Sequence, residues 1–313
     1  MAAIETIGLT KRYDEVVAVR DLNLTVEEGE IFGFLGPNGC GKSTTINMLL
    51  DYVRPTEGTA TVLGRDAQED TLAIHERIGI LPDAFDLYDR LSGRKHVQFA
   101  IDSKGSNEEV DEILDRVGLD FDDAERPAGD YSTGMRQRLA LGMALVGDPD
   151  LLVLDEPSSG LDPNGVREMR TIINTEADRG TAVFFSSHIL SQVEAVCDRV
   201  AIMQSGELVA VDTIDGLRQA NGAGSTLELT VDAVPDVDLT SVDGVSGVTV
   251  DGNRIVVSYT DSGAKATVIN RVEAAGATLT DISTSESSLE DLFTAYTNGS
   301  GVQRTTERSG VDA

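Results

Sequence analysis

Apolar and polar positions along the chain follow two different periods, and the places where one gives way to the other mark out a series of elements. Ile31-Phe32-Gly33-Phe34-Leu35, Leu151-Leu152-Val153-Leu154 and Ala182-Val183-Phe184-Phe185 are short runs with no polar side chain, each closing on a turn or polar residues. Such runs predict strands covered on both faces of a mainly parallel sheet. Two further strands are expected near the start, over 2–9 and 23–26. A glycine-rich turn follows 31–35, and a helix is expected from Lys42. Residues 83–147 read as mostly helical, with 111–117 and 136–146 the clearest stretches. Residues 1–221 therefore read as one α/β domain with a helical subdomain inside it.

A shift in composition at Asn221-Gly222-Ala223-Gly224-Ser225 predicts a linker. Beyond it, 226–231 alternates as a strand does, and 248–250 and 254–259 flank Asp251-Gly252, a hairpin signal. A helix over 263–275 and a strand over 278–284 follow. A last helix is expected from the capping residues Ser287 and Ser288 through 289–296. The order predicts a small α+β domain over 225–297, of ferredoxin-like type. The polar residues 298–313 are expected to be disordered.

The 313 residues are enough for two cores, and at 40% hydrophobic the chain can fill them. No stretch approaches the ~20 apolar residues of a membrane span, and no basic-then-apolar leader opens the chain, so a cytoplasmic location is expected. The formal net charge is −29. That balance repels phosphate backbones and argues against a nucleic-acid partner. Five Lys stand beside 20 Arg, and 32 Asp beside 22 Glu. Carboxylates in such excess over lysines resemble the proteins of salt-loving archaea, where concentrated ions screen the self-repulsion; an ordinary acidic bacterial protein is the alternative. Cys40 and Cys197 lie far apart in the chain and suit neither a disulfide framework nor a metal cluster.

The chemistry starts at Gly36-Pro37-Asn38-Gly39-Cys40-Gly41-Lys42-Ser43-Thr44. It fits G-x-x-x-x-G-K-[ST] between a predicted strand and a predicted helix, the context that gives the pattern meaning. Glycines let the backbone wrap closely so that N–H groups aim at phosphate oxygens. The helix N-terminus adds partial positive charge. Lys42 reaches the terminal phosphates and the Ser43 hydroxyl can ligate Mg²⁺. A nucleotide triphosphate is the ligand this loop predicts, but many classes of nucleotide-binding protein share it.

The strand at 151–154 ends in Asp155-Glu156-Pro157. Asp155 is placed to hold Mg²⁺, and Glu156 to polarise a water for in-line attack on the γ-phosphate. Upstream stands Tyr131-Ser132-Thr133-Gly134-Met135, then Arg136-Gln137; downstream come Ser159-Gly160-Leu161-Asp162 and Ser187-His188. In this order the motifs resemble those of the ATP-binding-cassette (ABC) family: its phosphate loop, its signature sequence, its Asp-Glu pair, its D-loop and its switch histidine. The resemblance covers roughly residues 1–220 and implies the family's fold, a mixed sheet core plus a helical subdomain. It also implies that His188 contacts the γ-phosphate and that Tyr13 stacks on adenine. It is closest to the exporters of drugs, antibiotics and ions, which carry a C-terminal accessory module. Asp83, after Ile80-Leu81-Pro82, stands where the family often has Gln and those exporters often have Glu, and is a candidate Mg²⁺ ligand. Tyr131, Thr133 and Met135 depart from the commoner Leu, Gly and Gln, while Ser132 and Gly134, which make the phosphate contacts, are kept.

The resemblance further implies a head-to-tail pair of chains. Each ATP would be gripped by Gly36–Thr44 of one chain and by Ser132, Thr133, Gly134 and Met135 of the other, with Asp162 in the D-loop between them. ATP closes the pair, and hydrolysis to ADP releases it. The motion would pass to separately encoded integral membrane permease subunits docking near 83–104, which places the chain on the inner face of the membrane. Two other readings compete with this one. A soluble relative acting on ribosomes or DNA would carry two cassettes or long coiled coils, and neither is seen. A nucleotide sensor without hydrolysis fits poorly with the presence of Lys42, Asp155, Glu156 and His188 together.

Overall fold

The computed structural model describes residues 2–220, 225–259, 263–285 and 293. The expected linker residues 221–224, the tail 298–313 and the closing helix over 287–296, Phe293 apart, lie outside the described residues. The chain forms two compact units, Met1–Val211 and Asp212–Ala313.

The first unit opens with a hairpin of β1 (Ala2–Tyr13) and β2 (Val16–Glu27), then β3 (Ile31–Leu35) and α1 (Lys42–Leu49). β4 (Glu57–Val62), β5 (Arg65–Asp66), α2 (Thr71–His75) and β6 (Ile78–Leu81) follow. A helical layer comes next: α3 (Gly93–Lys104), α4 (Val110–Arg116), α5 (Phe121–Glu125), a 3₁₀ turn at Ala128–Asp130 and α6 (Thr133–Leu145). The chain then returns to the sheet through β7 (Leu151–Asp155), α7 (Pro163–Asp178), β8 (Ala182–Ser187), α8 (Leu190–Glu194), β9 (Arg199–Gln204) and β10 (Glu207–Thr213).

Two sheets share the core. One has the order β2-β1-β4-β5 with antiparallel neighbours, the other the order β10-β9-β3-β8-β7-β6. Every residue of β3, β7 and β8 is buried, as the apolar runs 31–35, 151–154 and 182–185 require, and the burial extends to their polar ends Asp155, Ser186 and Ser187. Ile4, Leu9, Leu22, Phe32, Phe34, Met48 and Phe184 belong to one cluster that joins both sheets to α1. The Phe184 ring sits 6.1 Å from Phe32 and 5.2 Å from Phe34. Burying each such side chain stabilises the fold by roughly 1.5–3 kcal/mol. The opening hairpin is longer than the apolar pattern suggests. The polar stretch Lys11-Arg12-Tyr13 still pairs with Val19, Val17 and Val16, and Lys11 donates to the Arg54 carbonyl at 2.7 Å. Backbone pairing extends the strand where side-chain pattern alone stops.

The helical layer is fastened to the sheet at one end. Lys104, closing α3, donates to the carbonyls of Ile78 at 2.7 Å and His75 at 3.2 Å, and burial lowers its pKa despite Glu108 and Glu76 nearby. Beside it a Cβ on Gly79 would stand 2.1 Å from the Ala144 carbonyl, so β6 and the end of α6 approach as only glycine allows. Arg116, closing α4, is the centre of an ion network: 2.7 Å to Glu176, 2.9 Å to Asp148 and 3.4 Å to Glu108. Glu176, on α7, is only 2% exposed. Desolvation would lower the Arg116 pKa, but the hydrogen bond and charge of Glu176, with Asp148, outweigh it and raise it. Further along the layer, the Tyr88 N–H donates to His96 Nε2 at 3.0 Å, so the hydrogen lies on Nδ1, which donates to the Ser92 carbonyl at 2.9 Å.

In the second unit, α9 (Ile214–Ala220) precedes β11 (Ser225–Val231), β12 (Val245–Asp251), β13 (Arg254–Tyr259), α10 (Gly263–Ala274) and β14 (Leu279–Ser285). The sheet order is β12-β13-β11-β14, with antiparallel neighbours throughout. The strands follow a split β-α-β plan in which residues 232–244 take the place of a first crossover helix. Leu239 and Val242 from that segment join Leu227, Leu229, Val257 and Val268 in the core. The hairpin turn falls one residue later than expected: Asp251 still pairs with Arg254, and Gly252-Asn253 make the turn, with Gly252 at φ +55°.

Arg116→Ala leaves the buried Glu176 with only its longer, 3.5 Å contact to Arg179. A loss of about 1.5–3 kcal/mol, the worth of hydrogen bonds to a charged group, is expected from the first unit's urea unfolding transition, followed by circular dichroism; a loss below about 0.5 kcal/mol would show the network to be idle.

Candidate nucleotide site

β3 delivers the chain to its phosphate loop at the sheet edge, and the loop's geometry leaves room for few residue types. Gly41 caps α1 at φ +116°, and a Cβ there would sit 2.5 Å from the Ala18 carbonyl. A Cβ on Gly36 would meet Cys40 Sγ and the Met203 carbonyl, both at 2.4 Å. The Cys40 N–H donates to the Pro37 carbonyl at 3.1 Å, and Gly206 N–H holds the Cys40 carbonyl from behind at 2.8 Å. Gly39 takes φ +80° beside Asn38 at the tip. Lys42, Ser43 and Thr44 form the first turn of α1, with Lys42 only 6% exposed. Its ammonium crosses the loop to the Gly36 carbonyl at 2.8 Å.

Strand register brings the carboxylates to the same place. β8 lies between β3 and β7, all three parallel, with Leu35 opposite Ser187 and Asp155 opposite Ser186. Asp155, 9% exposed, accepts from Ser186 Oγ at 2.6 Å. Glu156 takes φ +50°, a left-handed backbone costing roughly 1–2 kcal/mol for a residue with a Cβ. The surroundings hold it there: its N–H donates to the Ser186 carbonyl at 3.0 Å, and its carboxylate accepts from Ser187 Oγ at 3.3 Å and from His188 Nδ1 at 2.8 Å. Because an ionised carboxylate only accepts, Nδ1 carries the hydrogen and Nε2 remains available. Lys42 Nζ lies 3.7 Å from the other Glu156 oxygen. Lys42, Asp155, Glu156 and His188 therefore form one cluster with Ser186 and Ser187. The two serines were not among the expected site residues; their signal is a pair of hydroxyls ending an otherwise apolar strand.

The other expected residues lie elsewhere. Ser132 caps α6 and accepts from the Met135 N–H at 3.3 Å. Thr133 and Gly134 border the chain's own D-loop, 3.6 Å from a Cβ built on Gly160 and, for a Cβ on Gly134, 3.9 Å from Leu161. No hydrogen bond or ion pair among the described residues joins 132–135 to 36–44. Asp162 caps α7, accepting from the Gly165 N–H at 2.7 Å, with Pro163 next. Tyr13 ends β1, 45% exposed, with the Lys11 ammonium 5.0 Å over its ring. Asp83 is exposed just past β6.

The donor set suits Mg²⁺. Among the described residues no three His, Cys, Asp or Glu gather as a metal cage. A hydroxyl at Ser43 and a buried carboxylate at Asp155 are the sparse hard-oxygen set with which proteins hold Mg²⁺ against phosphate. The steric tightness at Gly36 and Gly41 fits a backbone wrapped for phosphate.

Comparison with known proteins agrees with this geometry. A family model described as ABC transporter matches residues 19–159. The chain is similar to the bacitracin transport ATP-binding protein BcrA of Enterococcus faecalis, 34% identical over 304 residues, 96% of this chain and 97% of that protein. A fluoroquinolones export ATP-binding protein of Mycobacterium tuberculosis is 40% identical over 220 residues, 69% of this chain and 73% of the relative. Among solved structures, an ATP-binding subunit of an ABC transporter matches with a TM-score of 0.64 and 26% identity, covering 70% of this chain and 93% of that one. The fold is also that of a dimeric ATP-binding cassette bound to ADP and phosphate, at a TM-score of 0.61 and 22% identity over 67% of this chain and 98% of that one. The chain belongs to the ABC transporter ATP-binding subunits. Its class is that of the ATPases that drive such transporters. No helix among the described residues is long and apolar enough to cross a membrane.

Burial raises the pKa of Cys40, against the lowering influence of Lys42 beside it, and raises that of Cys197 still further. Both thiols are therefore neutral at pH 8. Iodoacetamide at that pH is expected to leave both unlabelled in the folded chain and to label both in urea, read by mass spectrometry; rapid native labelling of Cys40 would show the loop to be open.

Proposed function

We propose that two copies of this chain close head-to-tail around two ATP molecules and so drive export through separately encoded membrane permeases. The observation that carries this reading is the convergence of Lys42, Glu156 and His188 at one sheet edge. Lys42 and the loop amides of Gly36, Asn38, Gly39, Cys40, Gly41, Ser43 and Thr44 bind the phosphates, Pro37, which has no N–H to give, shapes the loop between them, and Tyr13 packs on adenine. Glu156 orients and polarises the attacking water, while His188, held by its Nδ1–H to Glu156, offers Nε2 to the γ-phosphate. Ser43 and Asp155 would hold Mg²⁺, with Asp83 reaching it through water; bound there, the ion neutralises charge on the phosphates.

The signature residues support the pairing. Ser132, Thr133, Gly134 and Met135 sit at the N-terminus of α6, a phosphate-seeking helix end, yet make no bond to the loop of their own chain. A second copy would bring them over the nucleotide, with Asp162 of the D-loop alongside. Export is favoured over import by one relative's name, which gives fluoroquinolones export, while another's gives bacitracin transport. Tyr88 and Phe99, exposed near the start of the helical layer, suit docking of a membrane subunit at 83–104, on the inner face of the membrane. The residues beyond 225 act as an accessory module. The excess of carboxylates over lysines supports an origin in a salt-loving archaeon.

Glu156→Gln is expected to keep ATP binding, to lower phosphate release by ~10²–10⁴-fold and to accumulate an ATP-bound dimer on size exclusion. Near-normal turnover would remove Glu156 from the role, and a strictly monomeric variant with ATP and Mg²⁺ would remove the pairing. Lys42→Ala is expected to abolish retention on an immobilised ATP analogue; unchanged retention would refute the cradle.

A further inference from the structure

A cavity of about 280 Å³ opens between α7, α8 and the end of β8, away from the phosphate loop. Val166 and Met169 on α7 and Phe185 on β8 give it an apolar floor. One wall is a hydrogen bond, from Ser158 Oγ to Gln192 Oε1 at 2.7 Å. The rim carries Arg167 and Arg170, one turn apart on the same helix. In a chain of net charge −29, acidic partners for arginine are plentiful. Arg94, Arg116, Arg126, Arg136 and Arg199 all hold carboxylates. Arg167 and Arg170 hold none, and their side chains have no hydrogen-bond partner among the described residues. The adjacent Glu168 turns instead to Arg138, at 3.7 Å.

Two guanidinium groups with no partner among the described residues, beside an apolar pit, are a specific arrangement. A planar guanidinium matches a carboxylate through two parallel N–H donors. The volume lies at the lower end of small-molecule sites, which suits a short apolar body and is too small for a nucleotide with its phosphates. We propose that this cavity binds a small amphiphilic carboxylate, its acid group held by Arg167 and Arg170 and its apolar part seated against Val166, Met169 and Phe185. The site goes beyond ATP-driven transport and does not depend on it. Its walls, however, are α7, which starts at the D-loop cap Asp162, and α8, which starts two residues past His188. A ligand there touches both segments that flank the catalytic cluster.

The test uses the full chain labelled with ¹³C-methyl methionine, with the Met169 signal assigned by Met169→Leu, and octanoate as the probe. A saturable shift of the Met169 methyl is expected, with the Met48 methyl, buried under the phosphate loop's helix, unmoved. The apparent affinity should fall by about tenfold or more in the R167A/R170A double variant and for octanamide, which lacks the charge. No Met169 response at millimolar octanoate overturns the proposal, as does Met48 moving in parallel. Equal affinity for octanamide overturns the acid class without relying on any variant, and equal affinity in R167A/R170A removes the two arginines.

Discussion

The whole arrangement rests on the parallel register of three neighbouring strands. β8 separates β3 from β7 and aligns both, so that Leu35, Ser187 and Asp155 end at one edge. Each strand then releases a different chemical group at that edge: a phosphate loop, a serine-histidine pair, two carboxylates. A slip of one residue in any of these ladders would turn Glu156 or His188 to the other face of the sheet. Close packing holds the register: a Cβ on Gly33 in β3 would stand 2.5 Å from Val193, so no larger residue can slip into that place. Packing in the core thus sets the precision of the polar site.

Within that frame the charges are held in tension. Lys42 and Glu156 are both largely buried, and each would be costly alone. Together with His188 and Ser187 they satisfy one another while the left-handed backbone at Glu156 keeps the carboxylate at its post. Backbone strain at a residue fixed from several sides is how a fold stores orientation. The signature residues show the opposite arrangement, a polar helix end with its own capping bond and no tie to the loop. One half of the site is preorganised within the chain; the other half is presented outward.

Much of this was readable in advance, for reasons that differ from element to element. The buried strands announced themselves because a strand covered on both faces is apolar over most of its length, as 31–35, 151–154 and 182–185 are. The β12–β13 hairpin was legible from Gly252, whose left-handed backbone few residues accept, although the turn is Gly252-Asn253 and Asp251 stays in the ladder. The extension of β1 to Tyr13 was not, since cross-strand pairing rather than side-chain pattern sustains Lys11 and Arg12 there. α6 begins at Thr133, ahead of the stretch from 136 that periodicity picks out, because the cap is Ser132, a residue already marked for another reason. The residues of the phosphate loop and the acidic pair stood out as motifs. Their meeting was expected from the motifs and the family they resemble, but the means was not: strand order is a long-range property, and no local pattern reveals that β8 is inserted between β3 and β7. Ser186, which steadies Asp155, was hidden for the same reason.

The uneven fastening of the helical layer has a mechanical consequence. The closing residues of α3, α4 and α6 sit together at one end, where Lys104 grips strand-edge carbonyls and Arg116 is locked to Glu176. At the opposite end Thr133 and Gly134 lie beside Gly160 and Leu161, and the tie to α7 is the longer Arg138–Glu168 pair at 3.7 Å. A plate clamped tightly along one side and held loosely on the other bends about its clamp. The compliance of this layer is therefore greatest where Ser132 lies, and a small turn at the clamped side becomes a long arc at the signature.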